Sequence, residues 1–319
     1  MMSFFKQGRK PPGQPLAGRK PRAALATLWK YRVVAALVLV VSVFAVEFYA
    51  LKLPQAQAAY TIANSARFIS GNSDYLSRTP GGAGNRQKWT YSTWVKRGAL
   101  GSTQLLYSAF VDSSNRTNIG FCTIADCGFT ASDELYVYSQ SGGVLQTFKA
   151  TSAVFRDPAA WLHIVIAVDT TQATSANRLL MYVNGVQMTA FDANANTDFA
   201  LSTSTLVNHT VAQNIGRYGG ASLYLDGYMS DVYLIDGAQL APTCFGATDA
   251  NGYWRPITYS TASPCAAYGT NGFHLAFGNG SSLGTDSAGS NNWATSTNMT
   301  AAVSQLTDSP TNSFATLNP

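Results

Sequence analysis

From Tyr60 to the end, the chain is built of short runs that alternate apolar and polar residues. Gly, Asn, Ser and Asp break these runs about every ten residues, and no helical period lasts longer than a turn or two. Period-two alternation with frequent breaks is the pattern of strands that bury one face. Trp89–Lys96, Leu105–Phe110, Glu134–Ser139, Val144–Ala150 and Trp161–Asp169 each read as a strand. Arg178–Val183, Asn184-Gly185 and Val186–Phe191 read as strand, type I′ turn and return strand, because both central positions of that turn require positive φ. Asn214–Arg217 and Leu223–Asp236 supply closing strands. Trp161–Asp169 is apolar on both faces, as a central strand would be. The fold class expected is all-β, a two-sheet antiparallel jelly-roll sandwich preceded by one N-terminal hydrophobic helix.

That helix comes from Val33–Val46, an unbroken apolar run behind a stretch holding eight Lys and Arg and no acid. Leu53–Ala59 then offers a small-residue cleavage pattern at Ala56–Ala58. A basic flank, a short apolar run and a small-residue site make a secretory signal; uncleaved, the same segment is a signal anchor that ties the protein to a membrane. Either way, residues 1–58 direct the body out of the cytoplasm. The overall charge of +5 belongs to this segment. From Ala59 onward there are 12 Lys and Arg against 15 Asp and Glu, a net of −3, which disfavours nucleic acid as a partner.

Four cysteines fit export. Local bridges Cys122–Cys127 and Cys244–Cys265 are the simplest of three connectivities; free thiols and a metal site are the alternatives, and neither pair has zinc-knuckle spacing.

Five segments occur in an ordered series: Trp89–Lys96 (WTYSTWVK), Trp161–Asp169 (WLHIVIAVD), Leu179–Val186 (LLMYVNGV), Ile215-Gly216 and Leu225–Asp236 (LDGYMSDVYLID). Their order and spacing resemble the laminin-G-like branch of the concanavalin A-like superfamily over residues 59–245. Asn251–Pro256, Gly272–Gly278 and Asp286–Trp293 are similar to segments of phage tail and other virion-associated proteins carrying that fold. Residues 246–319 read as a Ser-, Thr-, Asn- and Gly-rich appendage, or as the start of a truncated second module. The resemblance implies a surface role, secreted, cell-anchored or virion-associated. It also implies calcium at a sandwich rim, for which Asp112 with Asn115, Asp169, and Asp226 with Asp231 are the candidate oxygen donors.

Catalytic patterns are thin. The superfamily's glycosidases place alternate acids on one strand face, but only Glu47 and Glu134 are Glu, and Asp133 points to the other face from Glu134. There is no G-x-S-x-G elbow or H-E-x-x-H. His163 reads as structural, His209 as loop surface and His274 as packing. Trp94, Trp161 and Tyr182 read as core. Tyr218, Tyr224, Tyr228 and Trp254 lie near expected loops and are the candidates for stacking on a sugar. The function expected is a non-catalytic carbohydrate-binding or adhesion module whose partner is a glycan or surface polysaccharide. A structural or display protein capable of self-association is the alternative, and a glycoside hydrolase of unfamiliar pattern is the third reading.

Overall fold

The structure is a computed structural model that describes residues 60–296 and 298–312. Residues 1–59, on which the expected export segment and its hydrophobic helix fall, and residues 313–319 lie outside the described residues.

In chain order the strands are β1 (Ser65–Phe68), β2 (Leu76–Arg78), β3 (Lys88–Arg97), β4 (Gln104–Asp112), β5 (Asn115–Cys122), β6 (Glu134–Ser141), β7 (Val144–Val154), β8 (Trp161–Asp169) and β9 (Leu179–Val183). They continue with β10 (Val186–Gln187), β11 (Phe191–Thr197), β12 (Ala212–Ile215), β13 (Gly227–Asp236), β14 (Gly246–Thr248), β15 (Trp254–Pro256), β16 (Phe273–Leu275), β17 (Ala294–Thr295) and β18 (Gln305–Leu306). The described helices are single turns, such as Ile124–Cys127, capped by the Thr123 hydroxyl and ended by Gly128 at φ 71°. Two eight-stranded antiparallel sheets face each other. Sheet I runs β10-β9-β8-β3-β13-β1-β18, with β16 also on β13; sheet II runs β11-β7-β6-β5-β4-β12-β2-β17.

The core between the sheets follows the pleat. Trp89, Tyr91 and Val95 of β3, Ile164 and Ile166 of β8, and Ile119 and Phe121 of β5 point into one buried cluster. The Trp89 indole N–H, buried with its ring, donates to Thr205 Oγ1 at 3.0 Å, so that group is not stranded in the core. The Asn184-Gly185 turn forms as expected, with φ of 49° and 79°.

Some strands differ from their sequence reading. The return strand after Gly185 keeps only two residues, and its expected end, Phe191, starts β11 on the other sheet. Residues 223–226 are loop, because β13 starts at Gly227. The short strands β1 and β2 and the polar strand β5 carry little apolar alternation; pairing with neighbours makes them strands. Trp161 and Tyr182 are half-buried on the outer face of sheet I, so of the three rings expected in the core only Trp94 is fully buried.

Residues 246–312 add to both sheets. β16 and β18 lengthen sheet I beside β13 and β1, and β17 extends sheet II beside β2. Residues 240–268 also form a third layer: Leu240, Cys244 and Phe245, with Tyr259 and Tyr268, pack on the outward side chains Val165, Tyr233 and Ile235 of sheet I. Strand β3 is therefore buried on both faces from Trp89 to Arg97. Both local disulfides form: Cys244–Cys265 staples this layer, and Cys122–Cys127 staples the loop between β5 and β6.

Candidate functional site

The outer face of sheet II is covered only in part: Phe129 and Cys127, from the loop after β5, pack on Leu105, Tyr136 and Ala150, and the rest stays open. Outward positions on β5, β6 and β7 place Arg116, Asn118, Tyr138 and Phe148 side by side, and a pocket of about 300 Å³ opens over them. Tyr218, a sugar-stacking candidate from the sequence, forms its rim. The loop carrying Tyr218 is held in strained backbone, with Ala221 at φ 61° and Leu223 at φ 52°. A branched residue is seldom found there, and such conformations persist only when the surroundings dictate them. Four hydrogen bonds do so: Tyr218 N–H to Ser222 O, Ala221 N–H to Tyr218 O, Leu225 N–H to Gly216 O, and Leu105 N–H to Leu223 O. The Tyr218 ring meets Phe110 edge-on at 4.9 Å, and Gly219 leaves room for the Phe110 ring.

The polar equipment of this pocket is small and specific. The Arg116 guanidinium lies 4.8 Å over the Tyr138 ring, and Asp126 accepts from the Thr103 and Thr123 hydroxyls. Asn118 is 6% exposed, and its buried side-chain oxygen has no hydrogen-bond partner. A buried amide oxygen without a donor costs on the order of 1–3 kcal/mol, so the fold retains an unfavourable group at the pocket wall. The sequence analysis missed Asn118; its one signal was an amide at an outward position of a strand, two residues beyond Arg116 on the same face.

The other stacking candidates lie elsewhere. Trp254, on β15, sits over the outer face of sheet I, where its indole N–H donates to His163 Nδ1 at 3.0 Å. Tyr228, on β13, lies beneath Lys96 and edge-on to Trp161, on the same side of the sandwich. Tyr224 is half-buried in the loop before β13. The structure thus sends Tyr218 to one face of the molecule and Trp254 with Tyr228 to the opposite one.

The calcium candidates do not converge. Asp112 and Asn115 share the β4–β5 turn, where Asp112 accepts from Ser114 N–H and from the Asn115 amide. Asp169 is held by Lys88, Thr171 and Gln172 at one end of β3, whereas Asp226 accepts from Ser70 and lies by Gly98 beyond the other end. Asp231, at φ 46° in the β13 bulge, pairs with His274 at 2.8 Å. Among the described residues no three His, Cys, Asp or Glu come together. The five as placed do not fit a calcium shell, which needs several oxygens aimed at one point.

One carboxyl pair escaped the sequence analysis. Asp133 and Glu134 do point to opposite faces: Asp133 pairs with the buried Arg97 at 2.8 Å, and Glu134 lies beside Asp192 of β11. Burial, aided by the Asp192 charge, pushes Glu134 up to about 7. Burial also acts to raise Asp192, but hydrogen bonds from the Thr130 hydroxyl and from the Thr130 and Asn194 N–H groups outweigh it and hold that carboxyl low. Glu134 is 0% and Asp192 1% exposed, so the pair is sealed beneath the loop that follows the Cys122–Cys127 bridge. No substrate bond can reach it in this arrangement.

A sequence profile of the concanavalin A-like lectin/glucanases superfamily, laminin-G type, matches residues 70–242. The chain belongs to that superfamily. The matched stretch contains the whole sheet II pocket and ends before Trp254. No curated protein matches the chain. Among solved structures, a candidate carbohydrate-binding protein from Bacteroides ovatus is similar at 16% identity with a TM-score of 0.47; the match covers 74% of this chain and 58% of that one. A heptameric SAP-like pentraxin from Limulus polyphemus is 14% identical, with a TM-score of 0.37, over 57% of this chain and 80% of its own. Tailspike protein 2 of an Escherichia coli O157:H7 bacteriophage is 13% identical, with a TM-score of 0.38, over 56% of this chain and 23% of its own. Likeness at this level concerns the fold alone.

Proposed function

We propose that this chain is a non-catalytic carbohydrate-binding or adhesion module exposed on a cell or virion surface. Its glycan would lie in the sheet II pocket. The observation that carries this reading is Asn118, a buried amide with an unpartnered oxygen at the wall of a pocket rimmed by Tyr138 and Tyr218. Sugar hydroxyls are donors and acceptors in one group, so a hydroxyl can satisfy that oxygen while the ring stacks on tyrosine. The strained loop under Tyr218, held by four backbone hydrogen bonds, fits a contact residue whose position is set before the ligand arrives. Export is supported by two disulfides, which persist in oxidising compartments.

The test is glycan-array binding of the full chain against Tyr218→Ala and Asn118→Ala, in calcium and in chelator. The reading expects hits on related sugars that weaken about tenfold or more in either variant. Hits that survive both substitutions would move the ligand away from this pocket. Silence from folded wild-type protein would leave structural display as the better reading.

A further inference from the structure

The second cluster of aromatic candidates, around Trp254, belongs to a cleft of about 450 Å³ on the outer face of sheet I. Its walls are the turn before β8, the Asn184-Gly185 turn and the β14–β15 hairpin. Trp94, Trp161 and Trp254 line it, so half of the chain's six tryptophans meet at one place. Tyr253 stands beside them, 62% exposed. Apolar surface left exposed on a folded protein, as at Tyr253, marks contact surfaces. A cleft of this size falls within the roughly 300–1,000 Å³ of small-ligand sites.

The platform is locked. His163 is 1% exposed, and burial pushes its imidazole down to about 3, so the ring is neutral at any working pH. An indole N–H can only donate, so Nδ1 of His163 accepts from Trp254 and the proton sits on Nε2, which donates to Ser92 Oγ at 2.9 Å. Trp94 stacks on the other side of the imidazole at 4.8 Å. The Trp254 ring also rests against Gly185 and Gly246, where a Cβ would come within 2.5 Å of it. Such a ring loses almost no freedom when a ligand stacks on it.

The polar groups at the rim carry little net charge. Arg255 gives its Nε–H to Asp249 at 3.1 Å and lies by the Tyr253 ring, and its terminal amines have no hydrogen-bond partner among the described residues. The Asn184 oxygen accepts from His163 N–H, and its amide nitrogen is likewise free. Trp161 donates to Asp308, which also pairs with Lys96. An anion would have to compete with Asp249 and Asp308 for these cations, whereas a neutral ligand gains the free donors without displacing either pair.

We infer that this cleft is a second binding site, and that its ligand is a neutral, gluco-configured oligosaccharide. With every ring hydroxyl equatorial, such a pyranose presents only axial C–H groups to an aromatic face. An axial hydroxyl spoils one of the two faces, so a gluco-configured ring alone can stack through either. The site does not depend on the sheet II pocket. Half of its lining, residues 252–255 and Pro310, lies beyond the stretch matched by the superfamily, and it faces away from Tyr218.

Tryptophan fluorescence separates the two sites, because the sheet II pocket contains no tryptophan. The full chain is titrated with cellotetraose, methyl α-mannoside and a proline decapeptide. Cellotetraose is expected to give a saturable spectral change, and methyl α-mannoside at the same concentrations is expected to give none. Tyr253→Ala and Arg255→Ala alter exposed side chains and should leave the melting temperature in place while weakening that response about tenfold and severalfold, respectively. Tyr218→Ala, which tests the first site on the array, should not move this signal. An absence of saturable change at millimolar cellotetraose would overturn the inference, as would a change indifferent to both substitutions. Saturation by the decapeptide in place of the sugar would also overturn it and make the cleft a peptide groove.

Discussion

The outer faces of the two sheets were written in the same alternating code and ended differently. On sheet I, the outward residues of β8 and β13 are Val165, Tyr233 and Ile235, and a disulfide-stapled layer buries them. On sheet II, the outward residues include Tyr138 and Phe148, and they stay half in water around a pocket. An apolar outer face thus has two fates in one domain: it becomes core where another segment covers it, as Phe129 does over Tyr136 on part of sheet II, and stays half in water where none does. The difference should appear as a division between stability and binding.

The largest expected effect is at Tyr233, which is 4% exposed and packed on Phe245, Tyr259 and His274. Tyr233→Ala should cost about 3–5 kcal/mol in chemical denaturation, as for other buried aromatics. Tyr138→Ala on the open face should cost about 1 kcal/mol or less and act on ligand binding instead. Equal losses at the two positions would erase the proposed contrast.

Next come the staples. The Cys244→Ser/Cys265→Ser pair opens a 21-residue separation and should lose about 3 kcal/mol by loop-closure entropy; Cys122→Ser/Cys127→Ser opens a separation of five and should lose about 2 kcal/mol. The first pair should also raise proteolysis within residues 240–268, because those residues hold the third layer in place. Proteolysis of the two reduced variants at matched temperature checks this.

A smaller effect, confined to a pH window, sits at Glu134. Its folded carboxyl titrates near 7, above the ordinary unfolded value near 4.5, so the folded state binds the extra proton. Stability should therefore fall as pH rises from about 4.5 to about 7 and level off above that. Glu134→Gln should remove this slope and raise stability by roughly 1–3 kcal/mol at pH 8, with little change at pH 4. Melts of both proteins across pH 4–8 decide it; parallel curves would mean that the carboxyl is not perturbed by its setting.

The smallest expected effect is that of calcium. With Asp112, Asp169, Asp226 and Asp231 each engaged by protein donors, adding calcium or chelator should shift the melting temperature by less than about 1 °C. A rise of several degrees in calcium would place an ion at the sandwich rim after all.

Much of the site was legible in pieces. Tyr218, Tyr224, Tyr228 and Trp254 read as aromatics near loops, and of these Tyr218 and Trp254 each line a pocket. Asn118 did not stand out, because an amide on a strand reads as a solvated position until its neighbours are known. Nor did the meeting of Glu134 with Asp192: 58 residues separate them, and only the pairing of β6 with β7 and β7 with β11 brings them together.

Read alone, the chain determined most of its longer strands, its Asn-Gly turn and the two cysteine pairs that close locally, although the rings it offered as core, Trp94, Trp161 and Tyr182, lie on the side of sheet I opposite to Trp89, Tyr91 and Val95. The strands, turn and cysteine pairs depend on side-chain alternation, turn dihedrals and short loops, all of which act over a few residues. Tertiary structure alone decided which outer face would be covered. The segment after Cys244 is polar and rich in Ser and Thr, yet its few apolar residues, Phe245, Tyr259 and Tyr268, found a partner surface on sheet I. That choice rests on burying apolar area between segments far apart in sequence, a gain that no local pattern records.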